Sequence, residues 1–195
     1  HDFEGAIADF TVAHEKFPRG LDALFARGKT REMIGARKGA VAEYDAILAI
    51  AAEAGSVYMA RGNAKSHLGD HKGALADLEG AAYFSPEDPD VFANRGRVRL
   101  RAADEAGAMQ DLARAVGLDA ESGQAHFSRG LLLHDIGRYP ESLADFRKAL
   151  ELAAERHEYG RLYILMLETR LGRKDEARKE LKEHLTARTV KDDWF

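Results

Sequence analysis

The chain has 195 residues, of which 45% are hydrophobic and 32% are charged, and its formal net charge is -4. This composition is typical of a soluble globular or repeat protein, and the negative balance argues against nucleic acid as the main partner, because phosphate neutralisation needs surplus Lys and Arg. The sequence contains no cysteine, which excludes disulfides, thiolate catalysis and zinc sites built on cysteine.

Apolar runs in the sequence are short. "LYILML" at 162–167 is one of the longest, and it falls far below the roughly 18 apolar residues that a membrane-spanning helix needs. His1 opens directly into an amphipathic segment, so we expect a trimmed chain without its targeting segment. The cytoplasm is the favoured location, with the periplasm as the alternative if a signal was removed.

The main feature of the sequence is an internal repeat with a period of 34 residues. An Arg-Gly pair recurs at this step, with its glycines at Gly28, Gly62, Gly96 and Gly130. A small residue follows each glycine twelve positions later, at Ala40, Ala74, Ala108 and Ser142. A large apolar residue follows sixteen positions later, at Tyr44, Leu78, Leu112 and Phe146.

The period divides the whole chain in order. It predicts a half repeat with only its second helix over 1–20, then repeats over 21–54, 55–88, 89–122 and 123–157. A degenerate last repeat covers 158–191, and we expect the tail at 192–195 to be truncated. We therefore predict a single solenoid over 1–195.

Each repeat has helical apolar spacing rather than strand alternation. "GALADLEGAAYF" at 73–84 puts Ala74, Leu78 and Ala81 on one stripe. A glycine seven positions after the Arg-Gly glycine marks the end of the first helix. This turn residue is Gly35, Gly69 or Gly137, with Ala103 as the exception. Each repeat is therefore predicted to be two helices joined by a short turn.

The period and its small and large apolar positions resemble the tetratricopeptide repeat (TPR) family over nearly the whole chain. Pro18 and Pro86 also stand where that family often ends its second helix. The resemblance implies an all-α, right-handed superhelical solenoid of antiparallel helix pairs. It also implies that the first helices line a concave groove, which usually binds an extended peptide or a partner's helix.

Arginines and acids recur in register with the repeat. Each arginine before the glycine is matched by an acid sixteen residues later, and we expect charge-assisted hydrogen bonds between the two sets. The acid could belong to the same repeat or to the preceding one, where Asp9 is available to Arg27. The predicted structural ion pairs involve Arg27, Arg61, Arg95 and Arg129 with Glu43, Asp77, Asp111 and Asp145.

The stretch "NRGRVRLR" at 94–101 holds four arginines that do not form one patch. Residues four apart on a helix share a face, so Arg95 and Arg99 point one way and Arg97 and Arg101 another. By the family's pattern, Arg97 and Arg101 line the groove. The full set of predicted groove residues is Phe25, Lys29, Met59, Asn63, His67, Asn94, Arg97, Arg101, Phe127, Ser128, Leu131, Tyr163 and Met166.

The resemblance also allows a comparison with family members that clamp a peptide's terminal carboxylate. Asn63 and Asn94 match the two asparagines of that clamp, but Met59, Gln124 and Ser128 stand where it has Lys, Lys and Arg. The clamp is therefore incomplete.

We hypothesise instead that the groove holds a peptide with an acidic feature near Arg97 and Arg101. An apolar anchor of this peptide would lie near Phe127, Leu131 and Tyr163. In the alternative, Arg101 only joins a solvated charge ladder that includes Asp135 and Arg170.

No catalytic or metal-binding constellation is apparent in the sequence. His67 and His71 are four apart, but Gly69 and Asp70 break the helix between them, and no nucleophile with a base is evident. We therefore expect neither enzyme activity nor a metal or cofactor. The predicted function is a scaffold or adaptor that binds a partner protein, without a nucleic acid partner.

Self-assembly is the main alternative function that stays open at this point, and RNA binding is a weaker one. A self-assembling structural protein would form homo-oligomers through its convex face or its repeat ends. The apolar ends of the chain favour this possibility because exposed repeat ends need caps. The residues concerned are Phe3, Ile7, Phe10, Trp194 and Phe195.

Overall fold

A computed structural model describes residues 2–153, 158–179 and 182. Within these residues the structure is all-α and contains no strand. No helix in the described part is both long enough and apolar enough to cross a membrane. The helices are α1 (Phe3–Lys16), α2 (Leu21–Met33), α3 (Arg37–Leu48), α4 (Gly55–His67), α5 (His71–Phe84), α6 (Pro89–Arg101), α7 (Glu105–Leu118), α8 (Gly123–Asp135), α9 (Tyr139–Ala153) and α10 (Glu158–Arg170).

The first helices of successive repeats are α2, α4, α6, α8 and α10. Each packs closely against the helix that follows it in α2–α3, α4–α5 and α8–α9, because a turn of only three residues joins the two. Residues 174–179 are also helical. The end of the predicted last repeat and the predicted tail, including Trp194 and Phe195, lie outside the described residues.

Local sequence signals set where the helices begin and end. The side chains of Asp2, Asp70 and Ser122 cap α1, α5 and α8 by accepting hydrogen bonds from backbone N–H groups three residues later. Gly69 follows α4 at a φ of 85°, a left-handed conformation that glycine adopts without a Cβ clash. Ala103 occupies the same position after α6 with a φ of 60°.

The chain divides into two compact units, 1–111 and 112–195, with the boundary inside α7. In the first unit, buried side chains of α2, α3 and α4 form one cluster, which includes Leu24, Tyr44, Ile47, Val57 and Ala60. Gly28 makes this packing possible, because a Cβ at this position would lie 2.7 Å from the Tyr44 ring. A second cluster joins α5 to α6 through Ala74, Leu78 and Val98.

The second unit has its own apolar core between α9 and α10. Leu143 and Phe146 of α9 pack there against Ile164 and Leu167 of α10. Ser142, at the small-residue position of the repeat, is fully buried and donates a hydrogen bond to the Gly130 carbonyl at 2.7 Å. This contact satisfies the hydroxyl and ties α9 to α8.

Candidate binding surface on the first helices

The repeated arginines and acids meet within each repeat. Each arginine donates from two nitrogens to both oxygens of the acid sixteen residues later, at distances of 2.6 to 2.9 Å. The acids are buried, with 3% to 6% of their surface exposed. These side chains are therefore occupied internally. The four pairs are Arg27–Glu43, Arg61–Asp77, Arg95–Asp111 and Arg129–Asp145.

A second cation, which sequence reasoning missed, joins three of these pairs. Lys65 lies 2.8 Å from Asp77, Arg99 lies 2.8 Å from Asp111, and Arg31 contacts Glu43. Each is four residues after its repeat's arginine, on the same helix face. The signal was present in the sequence, since Arg31, Lys65 and Arg99 recur at the same 34-residue period.

Some of these arginines also reach the preceding repeat. Arg61 contacts Asp45 of α3 at 2.6 Å. Arg27 donates to the Thr11 hydroxyl at 2.9 Å, not to Asp9 as the sequence allowed. Thr11 is one period before Asp45, so the same helix position serves both arginines. Arg61 therefore contacts an acid of its own repeat and an acid of the preceding repeat, so both pairings that the sequence allowed are present at this arginine.

In the fourth repeat, a histidine from a different position contacts the acid in place of the second cation. His126 stands at the position of Leu24, Tyr58 and Phe92 in the other repeats. Its Nδ1 lies 2.8 Å from an oxygen of Asp145, and its Nε2 lies 3.1 Å from the Ala120 carbonyl oxygen. His126 is buried, so this side chain is a polar core contact rather than a surface group.

In the first unit, α2, α4 and α6 lie side by side and present a shared surface, which we call the first-helix surface. Phe25 and Met59 are only partly buried and pack against the two apolar clusters beneath them. Lys29 is exposed, with its ammonium 5.8 Å from the centre of the Phe25 ring. Asn63, on α4, is half-buried.

Arg97 and Arg101, on α6, differ from the paired arginines. Arg97 donates from Nη2 to the Asn94 side-chain oxygen at 2.6 Å, and its buried Nε has no hydrogen-bond partner among the described residues. Arg101 is exposed and donates from Nη1 to the Ser66 hydroxyl at 2.9 Å. Within the described part of the chain, neither arginine forms a salt bridge.

The electrostatic environment separates Arg97 from the structural arginines. Burial, followed by repulsion from Arg101, lowers the pKa of Arg97, while the charge of Asp90 acts in the opposite direction and only partly offsets them. By contrast, the hydrogen bond to an acid is the largest effect on Arg61, Arg95 and Arg129, and it raises the pKa of each. The positive charge of Arg97 is therefore poorly compensated by the protein itself.

His67, at the end of α4, lies in the same positive field. His67 is exposed, and its pKa is lowered first by the partial loss of solvent around the ring and then by the charges of Arg101, Arg37 and Arg97, while Glu32 acts in the opposite direction. Glu32 also accepts a hydrogen bond from the Tyr44 hydroxyl at 2.6 Å. Arg101 donates to Ser66, the residue before His67, so its guanidinium lies beside the end of α4. Arg37, missed by sequence reasoning, also contributes to the positive field at His67.

In the second unit, the predicted groove residues are mostly apolar. Tyr163 stacks on Phe146 with ring centres 4.7 Å apart, and Phe127 meets the same ring edge-on at 5.4 Å. Leu131 packs against the same core. Met166 is more accessible, with 53% of its surface exposed. These side chains therefore present an apolar surface that is continuous with the core of the unit.

Ser128 requires a correction. Its exposed fraction is only 1%, and its hydroxyl accepts a hydrogen bond from Gln124 at 3.1 Å. The short side chain lies below the surface, so Ser128 cannot line a binding groove as the sequence pattern suggested. Arg170, in turn, stacks over the Tyr139 ring at 4.4 Å, and Asp135 lies 3.1 Å from His134.

Among the described residues, no group of three or more His, Asp or Glu side chains could hold a metal ion. The first-helix surface instead offers guanidinium and amide donors beside apolar side chains.

Comparison with known proteins supports the repeat architecture. Residues 123–156 match the family described as Tetratricopeptide repeat. No curated protein matches the sequence.

Solved structures share the fold at low sequence identity. MamA is 18% identical, with a TM-score of 0.71 over 86% of this chain and 97% of that one. TTC0263 from Thermus thermophilus is 22% identical, with a TM-score of 0.73 over 82% and 91%. YrrB, described as a TPR protein with an unusual peptide-binding site, is 23% identical, with a TM-score of 0.62 over 89% of each chain.

These likenesses show that the chain shares the fold of tetratricopeptide repeat proteins. Residues 123–156 are the part of the chain that matches the family itself.

Proposed function

We propose that this chain is a non-catalytic interaction module that binds a segment of a partner protein on its first-helix surface. The observation that carries the proposal is the state of Arg97. Its buried Nε lacks an acceptor among the described residues, whereas the structural arginines are bonded to acids at two points. An unsatisfied buried donor costs free energy, and an acidic group bound at the remaining guanidinium N–H groups of Arg97 would stabilise its charge and offset part of this cost.

Other side chains of the surface fit such a ligand. Asn63 and Asn94 are half-buried amides that can hydrogen-bond an extended peptide backbone, while Phe25 and Met59 offer apolar contact. The peptide-binding site of YrrB, which has the same fold, is consistent with this role. In the second unit, Leu131, Tyr163 and Met166 would contact apolar side chains of a partner.

A random peptide library displayed on phage and selected on the whole chain tests the proposal. Enriched peptides are then measured by calorimetry on an Arg97→Ala, Arg101→Ala variant, and we expect affinity to fall at least about tenfold. An Arg19→Ala, Arg161→Ala variant is the control, because it removes the same charge from two exposed sites. An empty selection, or equal affinity in both variants, contradicts the proposal.

Self-assembly is the competing function. Light scattering over a concentration series distinguishes the two, because a mass that rises with concentration in the absence of ligand favours homo-oligomers. A constant monomer mass together with peptide binding favours the interaction module.

A further inference from the structure

Cationic groups of α4 and α6 meet at one end of the first-helix surface. Arg97 and Arg101 lie one turn apart on α6, and Arg101 reaches α4, where it donates to the hydroxyl of Ser66, the residue before His67. Arg37, at the start of α3, adds its charge to the field at His67. Glu32 of α2 is the acid that acts on His67, and its carboxylate already accepts a hydrogen bond from Tyr44. This local positive excess lies in a chain whose net charge is -4, so overall charge does not explain it.

The donors that remain available suit an oxyanion. Arg101 uses Nη1 on Ser66 and Arg97 uses Nη2 on Asn94, so each guanidinium keeps further N–H groups for a ligand. A planar guanidinium matches the two oxygens of a carboxylate. Because the Asn94 oxygen is taken by Arg97, its side-chain NH2 remains as a donor.

We propose that Arg97, Arg101 and His67 form an oxyanion site that binds a carboxylate of the partner segment together with a proton on His67. This inference rests on the proposed function and adds the chemical class of the ligand group. The positions differ from those of the incomplete terminal-carboxylate clamp, in which Met59, Gln124 and Ser128 replace the basic residues.

The coupling follows from the charges around His67. In the free chain, the partial loss of solvent around the ring and the charges of three arginines oppose its protonation and lower its pKa. A bound carboxylate places a negative charge among the same arginines, which offsets their repulsion and raises the pKa of His67 in the complex.

The direction in which the affinity for the carboxylate changes with pH follows from this coupling. The complex holds more protons than the free chain, so affinity increases as the pH falls through the His67 pKa of the complex. The gain is at most about tenfold per pH unit for one proton, and it ends below the His67 pKa of the free chain, which lies under the ordinary value of about 6.5.

The test uses the whole chain and a blocked tripeptide, acetyl-Ala-Glu-Ala-amide, with acetyl-Ala-Gln-Ala-amide as its neutral match. Nuclear magnetic resonance follows the imidazole of His67 and the Nε–H groups of Arg97 and Arg101 from about pH 8 to about pH 5. We expect the Glu peptide to shift the arginine signals and to raise the His67 titration midpoint. The Gln peptide should do neither.

Substitutions distinguish the contribution of the His67 proton to the affinity from the contribution of carboxylate binding by the arginines. His67→Gln should lose the gain in affinity for the Glu peptide between about pH 8 and about pH 5, because glutamine cannot take up the proton. The Arg97→Ala, Arg101→Ala variant should lose affinity at both pH values. The Arg19→Ala, Arg161→Ala control should keep both the affinity at about pH 8 and the gain on acidification. A phosphoserine peptide should not gain affinity in the same way, because its second pKa is about 6 and it loses charge as His67 gains it.

Two results overturn this inference in different ways. Arginine signals that respond to the Glu peptide while the His67 midpoint stays unchanged would refute the proton coupling and leave the proposed function standing. Arginine signals that respond equally to the Glu and Gln peptides would refute the carboxylate preference. Failure of the proposed function appears separately, as unchanged affinity of the library-selected peptides for the double arginine variant.

Discussion

Arg61 holds Asp77 at two points, with its Nε 2.9 Å from one carboxylate oxygen and its Nη2 2.6 Å from the other. Lys65 lies 2.8 Å from the same carboxylate. The remaining Arg61 nitrogen, Nη1, reaches Asp45 of the preceding repeat. One arginine thus contacts a buried acid and an exposed acid, which provides an internal comparison between the two environments.

Asp77→Asn should lower the free energy of unfolding by about 3 kcal/mol or more, because it leaves Arg61 and Lys65 without their buried counter-charge. Asp45→Asn should cost less than about 1 kcal/mol, because Asp45 is 57% exposed and solvent screens its interaction. Urea denaturation of both variants measures the difference. Equal losses would contradict a dominant role for the buried pair.

Tyr44 makes stability sensitive to alkaline pH. Burial, followed by the hydrogen bond to Glu32, raises the pKa of Tyr44 well above its ordinary value. The native state therefore keeps this proton more tightly than the unfolded chain does. The resulting stability is fully present below the unfolded pKa of about 10 and is lost as the pH rises towards the native pKa.

The Tyr44→Phe variant should consequently have a shallower loss of stability above about pH 10, by up to about 1.4 kcal/mol per pH unit. Denaturation curves at several alkaline pH values test this expectation. Tyr83→Phe is the control, since Tyr83 is 80% exposed. A slope that changes as much in the control as in Tyr44→Phe would contradict the assignment.

Substitution of His126 tests whether a polar or an aromatic side chain at this position gives the more stable protein. At the equivalent positions, Arg61 lies over Tyr58 and Arg95 over Phe92, at 5.5 and 5.4 Å from the ring centres. His126→Phe should therefore restore a ring beside Arg129 and change the unfolding free energy by less than about 1.5 kcal/mol. His126→Ala should cost more, about 2 kcal/mol or above, because it leaves a cavity. Thermal denaturation of the two variants decides between these outcomes.

Ala103 is the one turn position of the repeat without glycine, and its φ of 60° is strained for a residue with a Cβ. Ala103→Gly should raise stability by up to about 1 kcal/mol, since relief of strain exceeds the added freedom of the unfolded chain. Gly69→Ala should lower stability by about 1 kcal/mol. A Cβ at Gly69 meets nothing within 4 Å, so any loss reports backbone strain alone. Urea midpoints that move in the opposite directions would contradict this view.

Much of the fold could be predicted from the sequence because the same local pattern of residues occurs in several repeats. The helix pairs and the all-α class follow from apolar spacing and turn residues, which depend on neighbours within a few positions. The incomplete clamp was also visible, since it needs only residue types at known positions. Ser128 was misplaced because its exposed fraction is only 1%, and a pattern of residue types does not reveal how side chains cover one another.

The sequence by itself determined the 34-residue period, the helix pairs, and the opposite helix faces of Arg95 and Arg97, because local spacing is enough to specify them. Only the tertiary structure decided that Arg61 contacts acids of two repeats, and that the buried Nε of Arg97 lacks an acceptor among the described residues. The same holds for the shared field of His67 and Arg101, which lie on different helices. Each of these facts depends on distances between helices, and those are set by how the repeats pack.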